Sequence, residues 1–125
     1  MKTLIYIFLG GGAGSISRYL VGRYSAAHFW PGFPVGTLLA NILASLLLGY
    51  VSVKSFSTGV SDQADELWKP LLAVGFCGGF STFSTFSLES FKYFQSAQYS
   101  MAILHMGLNM LLCLMAIWGG VMLGK

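Results

Sequence analysis

The sequence predicts an all-α membrane protein: four transmembrane helices per subunit with a break in the third, paired as an antiparallel dual-topology homodimer. Three observations predict it. Only seven Lys/Arg and four Asp/Glu occur in 125 residues, a charged fraction of 9%, against roughly 25% in an ordinary soluble domain. Apolar side chains make up 55% of the chain, more than a soluble domain this small can hide from water. The basic residues also divide almost evenly between the two sides that the spans define. A soluble enzyme, a nucleic-acid binder and a disordered regulator are excluded by the first two. The net charge of +3 is too small to imply a polyanionic partner.

A helix needs about twenty mostly apolar residues to cross a bilayer. Val35–Val53, Pro70–Leu88 and Met101–Gly124 are uncharged and near that length. Leu4–Gly22 is a fourth such stretch, interrupted by Arg18. With their flanks the spans cover about residues 4–23, 35–53, 70–94 and 101–124 of a single transmembrane domain. The apolar run Leu4–Leu9 is too short for a signal-peptide core. Cys77 and Cys113 both fall inside spans and read as small fillers rather than a disulfide framework. Tyr24–Pro34 reads as a turn with Trp30 at the interface. Lys54–Lys69 is the one clearly hydrophilic loop, with Asp62, Asp65 and Glu66, and Phe91–Ser100 is a short polar link carrying Lys92.

Lysine and arginine placement sets orientation. One side receives four, Lys2, Lys54, Lys69 and Lys125; the other receives three, Arg18, Arg23 and Lys92. With so little bias the chain is expected to insert both ways. Two opposed copies then form an antiparallel two-fold dimer, the geometry that large transporters obtain from inverted repeats.

In the first span, Gly10 and Gly14 have the small-xxx-small spacing that lets helices approach closely. The glycine cluster around them also weakens the helix and favours a bend. Arg18 either snorkels toward the Arg23 end or shapes an aqueous entrance. In the second span Asn41 follows Thr37 by one turn. Its amide must find a partner, so it either bonds a neighbouring helix or offers its NH₂ to an anion path.

The third span is unusual. Gly75, Gly78 and Gly79 precede a run of Phe, Ser and Thr from Phe80 to Ser87. Phe83 and Phe86, at i and i+3, share a helical face. The glycines predict a break in the helix, with Ser81 and Thr82 placed to cap its restart. Carbonyls freed at such a break suit Na⁺. Glu89 reads as a solvated carboxylate at a helix end. In the fourth span His105, Asn109 and Cys113 stand at i, i+4 and i+8. They form one polar stripe, facing another helix or a pore.

The run Gly78–Ser87 followed by Glu89 closely resembles the signature of the small fluoride channels, the Fluc or CrcB family. Gly11–Tyr19 and Gly36–Asn41 are similar to that family's first- and second-span motifs. The resemblance implies a fluoride-selective channel in the bacterial inner membrane that exports fluoride passively and lowers its cytoplasmic level. It implies an antiparallel homodimer with two pores, each using residues of both copies. Phe83, Phe86 and Asn41 would be pore residues, with Thr82, Ser84 and Thr85 beside them. The carbonyls of Gly78 and Ser81 would hold a structural Na⁺ on the dimer axis, with no organic cofactor. His105, Asn109 and Cys113 align with the family's fourth-span polar track, where Tyr and Ser are commoner. Arg18 and Glu89 would serve the pore entrance or the structure.

The chemistry agrees with that implication. Fluoride is tightly hydrated, and amide and hydroxyl hydrogens can replace its water. Phenylalanine rings have positive edges, and conduction needs weak sites rather than a fixed cation. A coupled transporter of the small multidrug-resistance type is the alternative. It relies on an acid in its first span, and Leu4–Gly22 has none. A membrane assembly factor would not need the Phe/Ser/Thr repeat. No nucleophile–base pair or metal-ligand cluster points to an enzyme.

Overall fold

The computed structural model describes residues 1–57 and 65–125. Asp62, of the hydrophilic loop, lies outside them. The elements among the described residues are all helical: α1 is Lys2–His28, α2 is Val35–Ser57 and α3 is Asp65–Lys69. A π-helical segment Pro70–Phe76 leads into α4, Cys77–Phe80, and then come α5, Phe83–Gln95, and α6, Tyr99–Gly124. Among the described residues, four stretches are long and apolar enough to cross a membrane: Lys2–His28, Val35–Lys54, Leu67–Gln95 and Tyr99–Gly124.

The helices outrun the apolar stretches. Intrahelical bonds satisfy the backbone through the headgroup region as well as the hydrocarbon. The links shrink accordingly, to 29–34 and 96–98. At the second, Gln98 N–H reaches the Tyr93 carbonyl at 2.8 Å and Ala97 N–H reaches Phe94 at 3.1 Å. Those two bonds define a Schellman cap, and its left-handed position is filled by Ala97 at φ 56°.

Packing depends on close backbone approach, because lipid removes the hydrophobic drive between helices. A methyl on Gly10 would strike the Leu71 carbonyl, and one on Gly14 the Phe76 carbonyl. α1 thus lies directly on the π-helical segment and α4. It runs through its glycine cluster without interruption, and Gly10 and Gly14 within it serve contact with a neighbour rather than a bend. Gly120 meets Leu46 in the same way and joins α6 to α2. The buried centre holds Ala40, Ala44, Cys77 and Phe80. Most large apolar side chains, such as Phe8, Met110 and Leu123, face outward.

The third span breaks two residues later than its glycines suggest. Gly78 and Gly79 stay helical within α4; the chain turns extended at Ser81, ψ 157°, and Thr82, φ −152°. Thr82 Oγ1 then accepts the Thr85 N–H at 3.2 Å and restarts the helix.

Candidate functional site

The break exposes a backbone donor, Thr82 N–H, in the middle of the bundle. Asn41 of α2 meets it: Thr82 N–H donates to Asn41 Oδ1 at 2.9 Å. The other end of that amide, Nδ2, donates to Asn109 Oδ1 of α6 at 3.1 Å. Asn109 Nδ2 in turn lies 3.0 Å from the His105 carbonyl and 3.2 Å from His105 Nδ1. His105 is fully buried, and its Nε2 stands 3.3 Å from Glu89 Oε2. Glu89 Oε1 accepts from Thr37 Oγ1 at 2.7 Å. One polar line therefore joins α5, α2 and α6 from Thr82 to Glu89 and Thr37.

Beside this line runs a series of cavities. A crevice of about 200 Å³ lies at the break, lined by Asn41, Ser45, Ser81, Thr82, Phe83, Phe86 and Cys113. A second, of about 360 Å³, is lined by Arg18, Arg23, Thr37, Thr82, Thr85 and Glu89 among others. A third, of about 480 Å³, opens among Trp30, Phe33, Glu89, Lys92 and Tyr93. Thr82 walls the first two and Glu89 the last two. Phe83 and Phe86 have ring centres 5.6 Å apart, and Phe86 packs on the His105 ring at 5.2 Å.

Thr82 Oγ1 donates to Thr85 Oγ1 at 3.1 Å and lies 3.3 Å from Ser84 Oγ. Asn41, Thr82, Phe83, Phe86 and Cys113 thus meet at one crevice, with Ser84 and Thr85 on its hydroxyl rim. His105 and Asn109 sit behind it, buried.

One sequence expectation is corrected. Glu89 is not a solvated helix end. It sits within α5, which continues four residues past Phe91 to Gln95, and its side chain is only 23% exposed. Of the two expectations for Arg18, the structure gives it a place in a cavity wall with Arg23 and Glu89, where its Nε donates to the Gly79 carbonyl at 3.2 Å. Residue reading also passed over Thr37 as a partner for Glu89. The signal was present as one acid and one histidine in otherwise apolar spans, which must find partners.

The carbonyls of Gly78 and Ser81 were tested as a cation cradle. In a continuous helix they would accept from Thr82 N–H and Thr85 N–H. Those two donors turn instead to Asn41 Oδ1 and Thr82 Oγ1. Both residues line one crevice with Ala44, Ser45 and Cys77. Neutral oxygens without an anionic ligand fit a monovalent cation better than a divalent one.

Known proteins resemble this arrangement in sequence. The family model described as CrcB-like protein, Camphor Resistance (CrcB), matches residues 5–121. The protein named fluoride-specific ion channel FluC of Coxiella burnetii (strain CbuK_Q154) is 38% identical over 123 residues, 98% of each chain. That of Pyrococcus abyssi is 36% identical over 126 residues, covering 100% of this chain and 98% of the relative. That of Caulobacter vibrioides (strain NA1000 / CB15N) is 34% identical over 125 residues, covering 100% of this chain and 97% of the relative.

Proposed function

Because the chain belongs to the CrcB-like protein family, we propose that it is a fluoride-selective ion channel that lets fluoride leave the cytoplasm passively. It is an integral, multi-pass membrane protein, and its work is passage of an ion rather than catalysis. The bacterial cytoplasmic membrane is its proposed home. One observation carries the reading: three neighbouring cavities, sharing Thr82 and Glu89 in their walls, are lined by neutral donors and phenylalanine rings at the helix break. Asn41 Nδ2 and the hydroxyls of Thr82, Ser84 and Thr85 replace water around the anion. Phe83 and Phe86 present positive ring edges without a fixed charge. Arg18 and Arg23 draw anions to the adjoining cavity. Cys113 completes the crevice wall.

The functional unit is an antiparallel dimer. Phe83, in the wall of that crevice, is 79% exposed in a single subunit. A second, inverted copy covers that ring and makes two symmetric routes. The freed carbonyls of Gly78 and Ser81 would hold a Na⁺ on the two-fold axis. When bound, the ion supplies positive charge near both routes.

A multidrug-type coupled transporter is disfavoured by the lack of an acid in α1. The deciding experiment uses purified protein in liposomes loaded with fluoride, with chloride as the control. Fluoride efflux well above empty vesicles, with chloride retained, is the expected result. No fluoride flux above the empty vesicles overturns the reading.

A further inference from the structure

The hydrogen-bond line from Thr82 to His105 has a fixed direction. Thr82 N–H can only donate, so Asn41 must turn Oδ1 toward it and Nδ2 toward Asn109. The His105 carbonyl can only accept, so Asn109 must turn Nδ2 toward it and Oδ1 toward Asn41. Two backbone groups at opposite ends thus clamp both amides, and neither can flip without opposing like poles. The remaining hydrogen of Asn109 Nδ2 points to His105 Nδ1, which must accept it. A neutral ring that accepts at Nδ1 carries its proton at Nε2. Nε2 stands 3.3 Å from Glu89 Oε2, a close approach without a hydrogen bond.

We propose that His105 and Asn109 are positioning residues for the fluoride route, and that His105 is held as the Nε2–H tautomer by the helix break. A second proton on the ring then has one place to go, Nδ1. There it meets the clamped Asn109 NH₂ head-on. The amide cannot turn away, so the ring or the amide must move. The ring carries Phe86 on its face at 5.2 Å and the edge of Phe33 at 5.7 Å. Asn109 carries Asn41. Either movement displaces a pore group, so acidification closes the route.

The charged and titratable groups around the pair are few. α5 brings Glu89 itself, Lys92 and Tyr93, the last with its ring 6.2 Å from His105. α1 brings Arg18 and Arg23 across the cavity that Glu89 lines. α2 brings only the neutral Thr37 and Asn41. An imidazole ordinarily changes charge between about pH 5 and 8, and the His105→Gln control separates its proton from one taken by Glu89.

The inference rests on the channel reading, and its test separates the two. Protein labelled with ¹⁵N-histidine, in a His28→Gln background that leaves one ring, gives the tautomer directly. At about pH 7.5 the expected spectrum has Nε2 protonated and Nδ1 bare; the opposite tautomer overturns the proposal. Fluoride efflux is then compared at about pH 7.5 and about pH 5.5, with empty vesicles subtracted at each to remove hydrogen fluoride leak. Wild-type flux should fall roughly tenfold, the factor for one lost hydrogen bond of ordinary strength. His105→Gln keeps an acceptor for Asn109 but takes no proton, so its flux should stay level between the two pH values. Equal falls in both proteins, or a level wild type, overturn the proposal. If His105→Gln forms no channel, the Asn109 side-chain amide signal decides. It should shift as the ring gains its proton, and an unmoved signal overturns the relay. Absence of wild-type flux at both pH values sinks the channel reading, while the nitrogen spectrum still judges the tautomer.

Discussion

Thr82 does three things with its two polar groups. Its hydroxyl caps α5, its N–H orients Asn41, and both place it in the wall between two cavities. Thr82→Val keeps the shape and the N–H but removes the cap, so stability should fall by about 1 kcal/mol. Thermal unfolding in detergent checks this, and an unchanged midpoint would show that the hydroxyl does not hold the restart. The two rings test the pore more directly. Phe83→Ile and Phe86→Ile keep apolar bulk but remove the positive ring edge. Each should cut fluoride flux by up to about tenfold, the scale of one aromatic contact, while size-exclusion profiles stay those of the wild type. Normal conduction by both would place the anion elsewhere. These residues were legible because Phe, Ser and Thr have little other use in a repeated run within a span. The partners of Glu89 were not, because Thr37 and His105 lie 52 and 16 positions away and only the packing of α2, α5 and α6 unites them.

The break and the helix ends decide how well those residues are held. The α5–α6 link closes with a Schellman cap whose left-handed position is Ala97, not glycine. A Cβ there costs roughly 1–2 kcal/mol, of which glycine's extra chain entropy returns about 0.5–1 kcal/mol. Ala97→Gly should therefore raise stability by up to about 1 kcal/mol. The check is the unfolding midpoint of the variant in detergent, and a lower midpoint would refute the strain. Gly14 makes the opposite prediction. Its missing side chain admits the Phe76 carbonyl, so Gly14→Val must push α1 away and cost about 1–3 kcal/mol. Four helical stretches were readable from apolar length alone, since each follows from the thickness of the bilayer. The π-helical segment Pro70–Phe76 was not readable. It depends on α1 lying against it through Gly10 and Gly14, a fit between two distant stretches that no local pattern records. The break fell at Ser81–Thr82 rather than at the glycines for the same reason. Asn41 offers an acceptor to Thr82 N–H, and Gly75 and Gly79 are needed for close packing against α1.

The whole molecule is nearly neutral toward orientation, and that can be turned into a test of the dimer. The basic residues divide four to three between the sides, so small changes should tip insertion. Gln95 and Ser100 are exposed near the α5–α6 link. Gln95→Lys, Ser96→Lys, Gln98→Lys and Ser100→Lys, all at exposed positions, turn the division to four against seven. Thr3→Lys, with one lysine added after Lys125, turns it to six against three. Each variant expressed alone should insert one way, leave Phe83 without an inverted partner, and protect cells from fluoride poorly. Expressed together, the two should restore fluoride tolerance, because each supplies the orientation the other lacks. Reporters fused after Lys125 should be active on both sides of the membrane for the wild type and on one side for each variant. A parallel dimer or a monomeric channel predicts otherwise: each biased variant alone would protect as well as the wild type, and co-expression would add nothing.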